Sequence, residues 1–253
     1  MCFVLIACQA HPDYPIIIAA NRDEFFARPA TSMHWWDGSP PLLAGRDQRS
    51  GGTWFGIRGD GRFTTVTNLR NGQPLNTQAE SRGALVTDML AIQEPLEHAH
   101  IELRRNRQRY NPYNLLYGDR EQVFHFNSHA DQSTILTPGI HALSNASLDT
   151  PWPKAVEGSQ AFSALLASPD FNIDACFDLL RNDTTYHDVP DTGLDPQRER
   201  ALSAIFIEAN DYGTRTSTVL TVSSSNEINV EERQHAGDYS GSRRSVFRFK
   251  ASR

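Results

Sequence analysis

Four short stretches of this 253-residue chain carry side chains able to do chemistry. The chain opens MCFVLIAC, so Cys2 directly follows the initiator methionine. A cysteine attacks a carbonyl carbon only as the thiolate, and it needs a base or a depressed pKa to become one. Removal of Met1 would make Cys2 the N-terminal residue. Its own α-amine, with a pKa of about 8, could then act as that base. In the second stretch, IIIAANRDEFFARP, an apolar run ends in Asn21, Arg22, Asp23 and Glu24. The Asp23 carboxylate could hold an N-terminal ammonium, and the four residues together are candidates for ligand binding. Asn68 and Asn145 each close an apolar segment, where a side-chain amide can donate to a developing oxyanion. Each reading has a plainer counterpart: a small buried hydrophobe for Cys2, a local Arg22 salt bridge for Asp23, and turn formation for the asparagines.

The elements that must position these groups follow from periodicity. Residues 3–8 read as a buried strand, and His11, Pro12, Asp13 and Pro15 supply a turn into a second strand over 15–20. Alternation along that second strand sends Asn21 and Asp23 to one face and Arg22 and Glu24 to the other. Asp23 is then expected to point toward Cys2 and Arg22 away from it. Residues 27–52, rich in Pro, Gly and Ser, read as a structured loop or lid. Segments 53–57 and 62–68 flank Gly59-Asp60-Gly61 as a hairpin. Thr77 and Glu80 have capping-box spacing ahead of Leu85, Val86, Met89 and Leu90, which share a helix face. A more polar helix is expected over 95–109, its basic end solvated. Strands are expected over 114–117, 122–126 and 140–144, helices over 153–167, 173–182 and 196–208, and final strands over 216–222, 228–232 and 246–250. This order predicts one α+β domain over residues 1–253, with antiparallel pairing.

The bulk properties narrow the function classes. A net charge of −6 argues against a nucleic-acid surface. Three cysteines, Cys2, Cys8 and Cys176, are too few and too scattered for a disulfide framework or a zinc site, so a reducing, cytoplasmic setting is expected. FVLIA is shorter than a signal-peptide core, and no run of about eighteen apolar residues predicts a membrane span. Histidines such as His11, His34, His125 and His141 are dispersed, so no metal site is expected. Trp35-Trp36 and Phe25-Phe26 could floor an apolar cleft or serve as core.

MCFVLIAC, ANRDEFFARP, GGTWFGI, TVTNLRN, GIHALSNASLDTPWPK and YGTRTSTVL together resemble the NRDE family, also called the transport-and-Golgi-organisation-2 family, collinearly from residue 2 to about residue 222. The resemblance implies an αββα four-layer sandwich of the N-terminal-nucleophile-hydrolase type, related by fold to cysteine acylases of penicillin V and conjugated bile salts. Carried over from those acylases, Cys2 matches the nucleophile, Asp23 the carboxylate near its amine, Asn68 the segment giving one oxyanion donor and Asn145 the side-chain donor. Arg215 falls near a late arginine of the acylases. The acylases also place an arginine three residues before the aspartate, where this chain has Ala20. The family itself is associated with haem trafficking, acyl-CoA-type lipids and Golgi organisation. Two functions are therefore expected to compete. One is a carrier of an amphipathic metabolite, haem first and acyl-CoA second, with no required cofactor and no nucleic-acid or membrane-inserted partner. The other is a cysteine amidohydrolase acting through Cys2. A scaffold without a ligand is a third and weaker expectation.

Overall fold

The structure, a computed structural model, describes residues 2–189, 191–235, 239–240 and 243–252. Strands β1 (Cys2–Cys8) and β2 (Ile16–Phe25) form the expected hairpin. They are followed by β3 (Ala30–Trp36), β4 (Leu42–Asp47), β5 (Phe55–Arg58), β6 (Phe63–Asn68), β7 (Tyr113–Gly118), β8 (Val123–Asn127), β9 (Gln132–Ile135) and β10 (Gly139–Leu143). The C-terminal part adds β11 (Tyr212–Val222), β12 (Glu227–Gln234), β13 (Tyr239–Ser240) and β14 (Arg244–Lys250). Six strands form one sheet in the order β10-β1-β2-β11-β12-β14, and eight form a second in the order β13-β3-β4-β5-β6-β7-β8-β9. Pairing is antiparallel throughout except between β13 and β3.

Alternation along the strands makes four layers. Val4, Ile6, Ile16, Ile18 and Leu220 from the first sheet meet Leu43, Phe55, Ile57, Phe63 and Leu116 from the second. Helices α1 (Arg82–Ala91) and α2 (Ala99–Asn106) precede α3 (Pro153–Leu166) and α4 (Ile173–Leu180) in the chain, and the opposite faces of β1 and β2, with Phe3, Leu5, Ile17 and Ala19, lie under α3 and α4. Helices α1 and α2 cover the outer face of the second sheet through Leu85, Val86, Met89, Leu90 and Leu103. The αββα, α+β architecture is the one expected.

Several local expectations are corrected. Residues 27–52 are not a loop, because β3 and β4 run through them. Their Pro, Gly and Ser residues cluster between strands and beyond β4, in 37–41 and 48–52, so turn chemistry masked two short strands. Thr77 and Glu80 do not cap a helix. Ser81 is the N-cap of α1, its side chain accepting from the Gly83 N–H, while Glu80 pairs with Arg109. The 95–109 segment is helical, with 3₁₀ turns on either side of α2. The helix expected over 196–208 stops at Ala201 as α5 (Pro196–Ala201). Beyond it Ala204, Ile205, Phe206 and Ile207 are buried, and the Ile207 N–H bonds to Thr214 of β11. Tertiary packing thus overrides the local pattern.

The start of α1 is fixed by a close backbone approach. The Thr53 N–H donates to the Gly83 carbonyl at 3.2 Å, and a Cβ built on Gly52 would lie 2.4 Å from the Gly83 carbonyl carbon. That neighbour is backbone, so it cannot swing aside. Gly52→Ala is expected to destabilise the protein by about 1–3 kcal/mol, read as a lowered urea midpoint at unchanged m-value. An unaltered midpoint would mean that α1 shifts freely against residues 52–53.

Candidate functional site

Where β1 begins and β2 ends, the two sheets part around a cleft of about 620 Å³. Cys2, Arg22, Asp23, Glu24 and Asn68 line it, with Trp54 and Val66 as apolar wall and the start of α1 opposite. Asn21, Asn145 and Arg215 do not line it.

The ladder explains where each residue of the NRDE segment goes. Cys2 pairs with Arg22 and Phe3 with Asn21, and directly opposed residues share a face. Arg22 is therefore on the Cys2 side, in the layer between the sheets, contrary to the expectation that it turns away. Its guanidinium lies 4.2 Å from the Trp54 ring centroid and 3.5 Å from Asp47 Oδ2. Asp47 also accepts from Arg28 Nε at 2.5 Å and from the N–H groups of Arg49 and Ser50. Asn21 faces the helices. Its Nδ2 donates to the carbonyls of Leu180 and Ile205 at 2.8 and 2.9 Å, and its Oδ1 accepts from Ser217 Oγ. It ties β2 to the helical layer rather than to the cleft.

Asp23 is almost fully buried. Its Oδ1 accepts from Thr214 Oγ1 at 2.7 Å and its carbonyl from the Tyr212 hydroxyl at 2.8 Å. Burial pushes its pKa up, while Lys154, Thr214 and Arg22 act against that. Lys154, in the first turn of α3, is itself buried and donates through Nζ to the Leu202 carbonyl at 2.9 Å. Burial lowers its pKa to about 8, against the pull of Asp23. Burial likewise pushes the Cys2 thiol up. The Asp23 carboxylate adds to this, and Arg22 and the Asp23 backbone N–H oppose it. Cys2 is half-buried, whereas Cys8 and Cys176 are buried, with thiols held at about 12.

Asn145 sits one step behind the cleft. Its Nδ2 donates to the Asn68 carbonyl at 2.9 Å, and its own carbonyl accepts from the Arg70 N–H. The pair brings two predicted residues together, with an N–H of the Asn145 amide taken by Asn68 and its Oδ1 buried without a hydrogen-bond partner. Arg215 is fully buried. A register shift between Thr214 and Thr216 sets it off the ladder, and Nη1 donates to the carbonyls of Phe25 and Arg28 at 2.8 and 2.5 Å. Lys154, Asp47, Trp54 and Arg82 are site residues that sequence reasoning missed. The first three lie in the segments TPWPK, AGRDQRS and GGTWFGI, where only their tertiary partners distinguish them.

The turn bearing Asn145 is clamped by His141 and Asp149. His141 Nδ1 lies 2.7 Å from Asp149 Oδ2 and Nε2 lies 2.9 Å from the Thr137 carbonyl. Both acceptors are satisfied only by a doubly protonated ring. The His141 pKa is accordingly raised above 6.5, chiefly by the Asp149 bond. Burial opposes the shift of Asp149, whose pKa is nevertheless lowered below 3.8 by His141 and the Ala142 N–H. The His141 contribution is complete below pH 6.5 and is lost as pH rises through its folded pKa. That of Asp149 is complete above pH 3.8 and is lost as pH falls through its folded pKa. The clamp is therefore strongest between those values. His141→Gln is expected to lower the urea midpoint more at pH 5.5 than at pH 9. Equal losses at both values would mean that the ring is not charged in the fold.

The fold is that of the N-terminal-nucleophile hydrolases. It is shared with penicillin V acylase from Agrobacterium tumefaciens (TM-score 0.51, 12% identity, covering 98% of this chain and 86% of that one). It is also shared with a mutant conjugated bile acid hydrolase from Clostridium perfringens (TM-score 0.53, 7% identity, 99% and 92%). The family model for Transport and Golgi organisation 2 matches residues 1–237, and the chain belongs to that family. It is 31% identical to the human Transport and Golgi organization protein 2 homolog over 258 residues, 92% of each chain. To the Drosophila melanogaster Transport and Golgi organization protein 2 it is 28% identical over 266 residues, 94% of this chain and 93% of the relative. Among the described residues, no helix is long and apolar enough to cross a membrane and no group of three or more His, Cys, Asp or Glu could hold a metal ion.

Proposed function

We propose that the cleft binds and carries an amphipathic, anionic metabolite, with haem as first candidate and a long-chain acyl-CoA as second. The observation that supports this reading is the composition of the cleft wall. Guanidinium groups of Arg22, Arg28, Arg49 and Arg82 share a space of about 620 Å³ with Trp54, Val66 and Leu75. Propionates or phosphates suit the first set, and an apolar body suits the second. No histidine lines the cleft among the described residues, so the Cys2 thiolate would be the protein's ligand to a haem iron. Haem absorbance and calorimetry with palmitoyl-CoA should reveal micromolar or tighter binding of at least one of them, roughly 8 kcal/mol. Both titrations flat at high concentration would remove the carrier reading.

A second reading, cysteine amidohydrolase, is favoured by the position of Cys2 at the cleft beside Asp23. Met1 lies outside the described residues, and this reading requires its removal, because only then does Cys2 carry an amine able to take the thiol proton. Asn145 and Arg215, engaged elsewhere, weigh against it. Processed, Met1-retaining and Cys2→Ala proteins should be compared on a panel of acyl-amides beside the ligand titrations. The carrier reading expects no cleavage by any of the three. Cleavage by the processed protein alone, lost by several orders of magnitude in the other two, would make the enzyme reading win.

A further inference from the structure

We infer that Arg82 is the anion subsite of the cleft, holding a carboxylate or phosphate of the ligand in the space that Cys2 also lines. The inference deepens the proposed carrier function and rests on it for the ligand, although the subsite itself can be tested without that ligand.

The charge inventory of the cleft leaves two lining guanidinium groups without an ion pair among the described residues, Arg49, which is exposed, and Arg82, which is half-buried, and burial singles out the second. Four carboxylates line the space, and each is already engaged. Asp47 takes Arg22, Arg28 and two backbone N–H groups. Glu80 takes Arg109 through two bonds of 2.8 Å. Glu24 takes Arg28 at 3.8 Å and the Phe25 N–H at 2.9 Å. Asp23 takes Thr214 and lies in the field of Lys154. Arg82 makes no ion pair among the described residues. Its recorded bond is from Nη1 to the Pro112 carbonyl at 3.1 Å, which leaves most of its donor fork unspent.

A partly desolvated guanidinium without a counter-ion is costly, and an oxyanion that meets its fork relieves that cost. Two further features act in the same direction. Arg82 opens α1, whose first turn carries no acidic residue, so the positive end of the helix is left for an incoming anion. Arg82 and Cys2 also line the same cleft. The ligand's anionic group is therefore held in the space that Cys2 also lines, and its apolar body is left to Trp54 and Val66.

The test uses the full chain and two alkylating agents that differ in charge. Iodoacetate and iodoacetamide both form an S–C bond with the thiolate and expel iodide, and only the first is an anion. Cys8 and Cys176 are buried, so modification located by peptide mass spectrometry should fall on Cys2. The iodoacetate-to-iodoacetamide rate ratio at Cys2 should exceed that of an unstructured cysteine peptide by about tenfold or more. It should fall to the peptide's ratio in Arg82→Gln and be partly kept in Arg82→Lys. Inorganic phosphate should slow iodoacetate more than iodoacetamide in the unmutated protein, a readout that stands even where a variant fails to fold. Palmitate and palmitoyl-CoA then separate carboxylate from phosphate as the group held, by which one protects Cys2 in an Arg82-dependent way. A peptide-like ratio in the unmutated protein, or a ratio unmoved by Arg82→Gln, would overturn the subsite. An Arg82-dependent ratio with no binding of haem or acyl-CoA would instead remove the carrier reading and leave the subsite standing.

Discussion

Strand β2 is paired along both edges, to β1 with Cys2 opposite Arg22 and to β11 with Asp23 opposite Thr214. A strand held on both sides cannot slip or rotate, so its side chains have no choice of face. The last residues of β2 are polar, and this constraint distributes them among the layers. Asn21 is sent to the helices, where it takes up the Leu180 and Ile205 carbonyls. Arg22 is sent between the sheets, where it stacks on Trp54 and reaches Asp47. Asp23 and Glu24 then arrive at the cleft. The motif is a seam through which one strand end ties three layers together. The depth and charge of the cleft follow from that seam.

Burying charged groups is tolerable where they are answered. Asp23 has Thr214 and the neighbouring Lys154, and Lys154 has the Leu202 carbonyl. Arg70 bonds Glu199 at 2.8 Å, and Glu199 in turn accepts from the Thr192 N–H. Removing one member of such a set leaves an uncompensated buried charge, which costs about 3–5 kcal/mol, whereas the intact set adds little net stability. The arrangement is therefore better understood as fixing geometry around Cys2 than as a source of stability. It also holds the thiol in its neutral form, since burial and Asp23 both raise its pKa. A bound cation or a neighbouring amine would be needed to shift that balance.

The layers and the β1–β2 hairpin were legible in the sequence because alternation and helical periodicity are local signals. Phe3, Leu5, Ile17 and Ala19 on one face and Val4, Ile6, Ile16 and Ile18 on the other are readable without coordinates. The hairpin that brings Asp23 into the same cleft as Cys2 was legible, but the face on which alternation placed Asp23 was not, because Cys2 is paired with Arg22. The side taken by Arg22 was not, because it depends on which residue of β2 opposes Cys2, and register is a property of the pair. Strands β3 and β4 were hidden by the turn residues beside them. Arg82 was invisible for a different reason. Its distinction is to be half-buried without a carboxylate partner in three dimensions, and nothing in SRGALV reports that.

Arg215 shapes the cleft without lining it. The register shift in β11 takes its side chain off the ladder and onto the Phe25 and Arg28 carbonyls at the turn after β2. Anchored there, the turn presents the Arg28 side chain inward, so that it reaches Asp47 and Glu24 across the cleft wall. An arginine at this place therefore builds the wall from behind and does not meet a ligand. Asn145 does the same from the other side through the Asn68 carbonyl. With these two groups structural, the polar groups lining the cleft are the Cys2 thiol, the arginines, four carboxylates that are already engaged, and the start of a helix. An anion can meet a guanidinium there, whereas neither the Asn145 amide nor Arg215 is among the lining groups that could meet an oxyanion.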